Sequence, residues 1–489
     1  MTMTGALAPT YAATPALPRR RISQTTKVLY GIGAVAYGVR DVGFNAFVLI
    51  FYNQVLGLPA SLAGLALMLT LFADAILDPI IGMVSDGWHS RWGRRHPFIV
   101  AAAIPAALAH FFLWHPPLAL SGAGIFWYLL AISIAVRGCI SVFEIPFAAL
   151  VAEFTTDYDE RTSMITYLYV FGWWAGLALS VLAYAVFFHP SAGDPSGLLT
   201  RHGFAAYGLF ASAVLLVAML IPAFGTRREI PHLARPAATQ TGAGQALRDL
   251  GSLLRNRSVV ALLLSVILLG ASQGFGTSLY NYIQVFFWGL AAPQITILAL
   301  APFVSATAAF FAAPRLARGR EKRRIAIVIV LLALVGQPLP LVLRLIGLFP
   351  ANASPWLMPL LTLHSAFETG LWVMFSILTA SMVADLVEDN QRRTLRRTEG
   401  TLFALQIFAR KAVSGIGIFL SGVVLDLVHF PATAAQGHVP QPVLNHLALA
   451  YGPILILFGA ASAFALRNYR ITRETHARNV AAVSPAKEI

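Results

Sequence analysis

Long apolar runs separated by short, arginine-rich polar turns fill nearly the whole chain. The first six lie near Val28 to Ile50, Leu62 to Val84, Pro97 to Trp114, Gly124 to Val151, Met164 to Phe188 and Gly203 to Phe224. After a polar stretch come Val259 to Trp288, Ile295 to Ala313, Ile325 to Leu348, Trp356 to Val383, Leu402 to Leu427 and Leu447 to Leu466. A helix needs about 20 apolar residues to cross a hydrocarbon layer about 30 Å thick, and these runs are of that order. No stretch outside them is long enough for a soluble domain. The pattern predicts an all-α membrane protein of twelve transmembrane helices in two pseudo-symmetric six-helix bundles.

Composition agrees. Hydrophobic residues make up 57% of the 489 positions and charged residues only 11%, against roughly 25% charged in soluble domains. The net charge of +14 does not point to nucleic acid, because Lys and Arg sit in short clusters between spans rather than on one face of a folded domain. These clusters follow span two (Arg91, Arg94, Arg95), span eight (Arg315, Arg318, Arg320, Lys322, Arg323, Arg324), span ten (Arg392, Arg393, Arg396, Arg397) and span twelve (Arg467, Arg470, Arg473). In a twelve-span count they share one side, and the positive-inside rule makes that side cytoplasmic. The expected organisation is a disordered cytoplasmic tail at 1–26, a six-helix bundle at 27–224 and a cytoplasmic linker at 225–257. A second bundle at 258–466 and a cytoplasmic tail at 467–489 complete it. The expected setting is a multi-pass inner (cell) membrane, and the expected state a monomer. One cysteine, Cys139, lies in an apolar span and offers neither a disulfide nor a cysteine-rich metal site.

Ionisable groups inside a span cost about 2.5 to 3.5 kcal/mol each on insertion scales and usually face a cavity or a partner. Here they cluster. Asp74 and Asp78 are one turn apart on one face of span two. Span four carries Glu144 with Ser141 before it and Pro146, which frees a backbone carbonyl, after it. Asp74, Asp78, Ser141 and Glu144 form an oxygen-rich set suited to Na⁺ or to proton exchange. Arg40 and Asp41 in span one, and Arg137 one face-repeat before Glu144, are further intramembrane charges; Glu144 and Asp41 are the candidate partners of Arg137. Lys411 in span eleven calls for carboxylates across a cavity. Glu368 and His364, one turn apart in span ten, fit either a cavity role or a local polar pair, and Trp173 and Trp372 could stack on a sugar face. Asp86 and Glu153 read as helix-end residues.

The stretch Asp78 to Phe98, DPIIGMVSDGWHSRWGRRHPF, carries Gly82, Asp86, Arg91, Gly93, Arg94 and Arg95 and resembles the cytoplasmic loop signature of the major facilitator superfamily. DAILDP before it, FEIPFAALVAEFTTDYDER, and MVADLVEDNQRRTLRRTEGTLFAL with FARKAVSG resemble the glycoside-pentoside-hexuronide:cation symporter family, melibiose permease-like. These blocks spread over both halves. The resemblance implies the major facilitator fold and a transporter that moves a sugar with Na⁺, Li⁺ or H⁺ by alternating access. It matches Asp74 and Asp78 to the helix-two cation carboxylates, places Glu144 where an Asp is usual, and matches Lys411 to the helix-eleven lysine. Three positions depart from the pattern: Gly38 and Tyr169 stand where sugar-binding residues are usual, and Leu77 replaces an asparagine beside the second cation carboxylate. These departures weaken a galactoside assignment and make H⁺ at least as good a coupling ion as Na⁺.

The expected function is therefore a cation (H⁺ or Na⁺):sugar or glycoside symporter with no cofactor, a small-molecule substrate and the bilayer as partners. The loop residues Gly82, Asp86, Arg91, Gly93, Arg94 and Arg95 are expected to form its cytoplasmic gate. A lysolipid carrier on the same fold is the alternative; an intramembrane enzyme or non-transporting sensor is a third class, with no HExxH metal motif or phosphate loop to support it.

Overall fold

The computed structural model describes residues 22–155, 157–233, 251, 254–317, 319–394, 399–472 and 474–475. The expected N-terminal tail and the centre of the linker lie outside them. Twelve long helical segments follow in order: α1 Gln24–Val55, α2 Ala60–Gly87, α3 His96–Trp114, α4 Ala123–Phe154, α5 Glu160–Phe187 and α6 Arg201–Gly225. Then come α7 Arg257–Phe287, α8 Ala292–Ala317, α9 Lys322–Leu345, α10 Leu357–Thr394, α11 Glu399–Leu427 and α12 Gln441–Leu466. Eleven of these contain a stretch long and apolar enough to cross a membrane, while α11 contributes the shorter apolar piece Val413–Leu427.

Local sequence explains where helices start and bend. Thr200 caps α6 by accepting from Gly203 N at 3.3 Å, and Asn256 caps α7 by accepting from Ser258 N at 3.0 Å, satisfying donors that a helix start leaves open. Pro79, Pro105, Pro146, Pro222 and Pro453 lie inside α2, α3, α4, α6 and α12, each removing one rung of the helical ladder. Helix α9 is interrupted at Gln337 and Pro338, between Lys322–Gly336 and Leu339–Leu345.

The ends of α1 and α7 repeat one another. Each closes in a wide π turn, Phe51–Val55 and Ile283–Phe287, and Tyr-x-Gln-Val falls at both, with Tyr52, Gln54 and Val55 inside the first and Tyr282 just ahead of Gln284 and Val285 in the second. A glycine in the left-handed region follows in both, Gly57 at φ +76° and Gly289 at +67°, a conformation that only glycine adopts without strain. This is a repeat of the kind that relates the halves of many transporters.

Within the first six helices α2 packs on α4, α3 on α4 and α6, and α1 on α5 and α6; within the last six α7 packs on α12, α8 on α10, and α9 on α10 and α12. Three helix pairs join the two sets: α2 with α11, α5 with α8, and α1 with α7. The hydrogen bonds joining described residues of the two sets all lie at the end remote from the chain termini, here called the far end. There Asn281 donates to Ala46 O at 2.7 Å, Tyr282 to Asn53 Oδ1 at 2.7 Å and Tyr184 to Asn281 Oδ1 at 2.8 Å. The loop after α11 lies over this seam, with Gln54 donating to Pro431 O at 3.1 Å and Gln436 to Val285 O at 3.0 Å. At the terminus end Tyr169 of α5 is 75% exposed and Met83 of α2 67%. Among the described residues the two sets are hydrogen-bonded to each other at the far end and not at the terminus end.

Candidate functional site

Near mid-depth, α1, α2 and α4 bring two arginines and their acids together. Arg137 donates to Asp74 Oδ2 from Nη2 at 2.7 Å and from Nε at 3.2 Å, while Ser141, one turn on, donates to Asp74 Oδ1 at 2.7 Å. Asp74 is fully buried, its side chain 1% exposed. Arg40 pairs with Glu144 through Nη1 and with Asp41 Oδ1 through Nε at 3.0 Å. The Arg137 guanidinium also lies 5.3 Å from the Phe44 ring centroid, and that of Arg40 lies 5.7 Å from Tyr37, arrangements that favour a cation. Asp41 is 58% exposed at mid-span; an exposed carboxylate at that depth faces a water-filled cavity rather than lipid.

Arg137 therefore takes neither of its expected partners, Glu144 or Asp41. Helical spacing put Arg137 and Glu144 on a common face, but Ser141 and Arg137 both turn to α2, and Arg40 from α1 meets Glu144 instead. Asp74, Asp78 and Glu144 are not gathered into one cage in this conformation: among the described residues no group of three or more His, Cys, Asp or Glu is arranged to hold a metal ion. Arginines stand where a bound cation's charge would act. The side chain of Lys411 lies outside the described residues. Pro79 and Pro146 follow Asp78 and Glu144 closely, so each acid has a proline-loosened backbone beside it.

Tyr37, one turn before Arg40, escaped sequence reading. Its hydroxyl is buried without a hydrogen-bond partner and lies within electrostatic reach of Glu144, Arg40 and Tyr169. Its spacing from Arg40 was the available signal. Tyr169 and Trp173 follow each other along α5, both exposed, where α5 runs close to α1: a Cβ on Gly38 would meet Gly176 Cα at 3.0 Å. Trp174 packs against Phe303 of α8 with ring centroids 5.0 Å apart and the rings tilted by 43°. Glu368 and Trp372 lie one turn apart on α10. His364 is not paired with Glu368; its Nε2 meets Gly336 O at 2.9 Å. Tyr282 is committed to the far-end seam.

At the terminus end the loop signature folds into an ion-pair network. Arg95 pairs with Asp86 and reaches Glu153 Oε1 at 2.9 Å and Ser85 Oγ at 2.7 Å; Arg94 reaches Glu153 Oε1 at 2.5 Å. Gly93 makes the turn with φ +77°, Gly82 sits opposite Ile145 of α4, and Arg91 is exposed outside the network. Glu153, read from sequence as a solvated helix end, is its hub and only 4% exposed, because α4 runs on beneath the α2–α3 turn. In the last six helices Lys322 at the start of α9 pairs with Asp385 of α10 at 2.8 Å. This is the counterpart of Arg95 at the start of α3 with Glu153 of α4.

A GxSxG pattern, Gly270 to Gly274 with Ser272 at its centre, lies inside continuous helix α7. The strand-to-helix elbow that makes such a serine nucleophilic is absent there.

The family model described as MFS/sugar transport protein matches residues 29–473, and the chain belongs to that family. It is a multi-pass membrane transporter of the major facilitator fold, not an enzyme. Among similar proteins, the isoprimeverose transporter of Lactiplantibacillus pentosus is 24% identical over 88% of this chain and 85% of its own. The putative glycoside/cation symporter YagG of Escherichia coli (strain K12) is 23% identical over 92% and 93%. The sodium-dependent lysophosphatidylcholine symporter 1-A of Danio rerio is 31% identical, over 33% of this chain. In fold the chain resembles the D-xylose-proton symporter (TM-score 0.61, 16% identity, covering 92% of this chain and 98% of that one). It also resembles the inward open xylose transporter XylE of E. coli (TM-score 0.57, 14% identity, 94% and 97%).

Proposed function

We propose that the protein is a cation-coupled symporter of a sugar or glycoside that works by alternating access, its two six-helix halves at 27–224 and 258–466 rocking about a site near mid-depth. The observation that carries this reading is the pair of ion-paired arginines, Arg137 on Asp74 and Arg40 on Glu144, beside the exposed Asp41. Charges at that depth are costly unless they serve a pathway. Tyr37, Tyr169 and Trp173 border the same charges and suit a polyhydroxylated substrate with one apolar ring face. Asp74, Asp78, Ser141 and Glu144 receive the coupling cation, H⁺ or Na⁺. Its arrival competes with Arg137 for Asp74, so cation occupancy and the shape of the α1, α2 and α4 wall are linked. Differential affinity of this kind is the only means by which a ligand shifts a conformational balance. The named symporter and transporter relatives support the same substrate class.

The test is uptake by reconstituted vesicles of radiolabelled isoprimeverose and a panel of glycosides, with a Na⁺ gradient, a pH gradient or neither. Accumulation of at least one glycoside should require one of the gradients. Asp78→Asn should abolish accumulation while leaving exchange down the substrate's own gradient. If the Asp74→Asn, Asp78→Asn and Glu144→Gln proteins all accumulate substrate with the parent's ion dependence, the cation assignment is wrong. A second reading, a lysolipid carrier, is favoured by a shallow, outward-open apolar depression between α8 and α10, lined by Ile297, Ala301, Val304, Met358 and Leu363. Uptake of labelled lysophosphatidylcholine and of no glycoside would establish it instead.

A further inference from the structure

Glu368 stands apart from the site on α1, α2 and α4. It lies about 16 Å along α10 from Leu357, by the rise of a helix, which is half the depth of a hydrocarbon layer. Its Oε1 is buried and has no hydrogen-bond partner, and no ion pair of the described residues includes it. The oxygen is pressed against Gly336 of α9, where an added Cβ would overlap it. That glycine is the last residue before the break in α9.

The groups around it are polar but uncharged. From α9 comes Gln337, whose Nε2 lies 3.3 Å from where a Cβ on Gly276 of α7 would stand, with the Tyr451 hydroxyl of α12 at 3.4 Å from the same point. Tyr451 is within electrostatic reach of both Glu368 and Tyr280 of α7. On its own helix His364 is held by Gly336 O, and α8 contributes Ser305 beside Gly370. The charges of α7, α8 and α9 are confined to helix ends, at Arg257, Arg315, Lys322, Arg323, Arg324 and Arg344, and the titratable His446 of α12 is near its start. Among the described side chains of α11 the charged one is Asp426, at the far end. Among the described side chains a carboxylate there has no counter-charge, and a charge at that depth is costly, whereas a neutral carboxylic acid is not.

We propose that Glu368 is a proton-binding site in the second half of the molecule, separate from the carboxylates of α2 and α4. It holds its proton while the far end is closed and exchanges it when the broken helix α9 moves against α10. The inference deepens the transport reading by supplying a carrier for H⁺. As a step it is simple: the carboxyl O–H bond breaks, and the proton leaves to water that reaches Glu368 when α9 moves.

Infrared difference spectra of the purified, reconstituted protein across a pH titration test the site without any substrate. The parent should show the carbonyl stretch of a protonated carboxyl that fades as pH rises. Glu368→Gln should lack that band, and Glu368→Asp should retain it at a shifted position, which separates loss of the proton site from loss of the fold. With isoprimeverose as the probe, Glu368→Gln should equilibrate the sugar but lose accumulation driven by a pH gradient. An unchanged titrating spectrum in Glu368→Gln, or pH-driven accumulation equal to the parent's, overturns the proposal. A parent that moves no glycoside at all would sink the transport reading, while the infrared band would still decide the proton site.

Discussion

An arginine held against an aspartate in the middle of a membrane is stable only while both are present. Removing one partner of a buried ion pair leaves an uncompensated charge and costs about 3 to 5 kcal/mol, whereas removing both together costs far less. Arg137→Met should therefore lower the thermal unfolding midpoint of the protein in detergent markedly. The double substitution Arg137→Met with Asp74→Asn should recover most of the loss, a comparison that unfolding scans at fixed lipid and salt would settle. The acids themselves were legible in the sequence, because carboxylates interrupting an apolar run stand out whatever the fold. Their partners were not. Spacing along α4 shows that Arg137, Ser141 and Glu144 share a side of one helix, but only packing decides that α2 meets the first two and α1 the third. Glu153 was misjudged for the same reason, since its burial depends on where the α2–α3 turn comes to rest.

Among elements, the crossing of α2 and α11 brings the two halves together backbone to backbone. A Cβ on Gly64 would meet Ile418 O and Phe419 Cα, each at 3.0 Å, and one on Gly422 would overlap Ala60 O. Small residues at such crossings let membrane helices touch backbone to backbone. Overpacking one of them costs typically about 1 to 3 kcal/mol, here charged only to the state in which the far end is closed. Gly422→Val should accordingly shift the population towards a far-end-open form. A cysteine at Tyr169 should then react with a membrane-impermeant maleimide from the far side as well as the terminus side; labelling from the terminus side alone would show that the crossing does not control the closure. The spans were legible from apolar run length, and even the interruption of α9 has Pro338 and Pro340 to announce it. The π turns ending α1 and α7 carried no hydropathy signal, although Tyr-x-Gln-Val followed by glycine is printed in both halves.

For the molecule as a whole, the placement of arginines carries the orientation. The network around Glu153 and the Lys322–Asp385 pair lie at the same end as the chain termini, and positive residues concentrate on the cytoplasmic side of membrane proteins. A cysteine introduced at Gln240 in a Cys139→Ser background should thus be labelled by an impermeant maleimide in inside-out vesicles and not in intact cells; the reverse pattern would invert the topology and place both termini outside. The two-half organisation could be counted from the sequence, but the conformational state could not, because both states use the same helices and differ only in which ends touch.

The contacts at the two ends of this transporter rest on different physics. On the terminus side ion pairs tie helix ends together within each half, whereas among the described residues the far-end seam between the halves is held by amides, tyrosine hydroxyls and glycines against carbonyls, with Ser61 N donating to Asp426 Oδ2 at 3.1 Å. Salt screens exposed charges over a Debye length of about 8 Å at physiological ionic strength, yet leaves short neutral hydrogen bonds and backbone contacts almost untouched. The seam between the halves should therefore answer far less to the salinity of the medium than the partly exposed Arg95–Asp86 pair at the other end does.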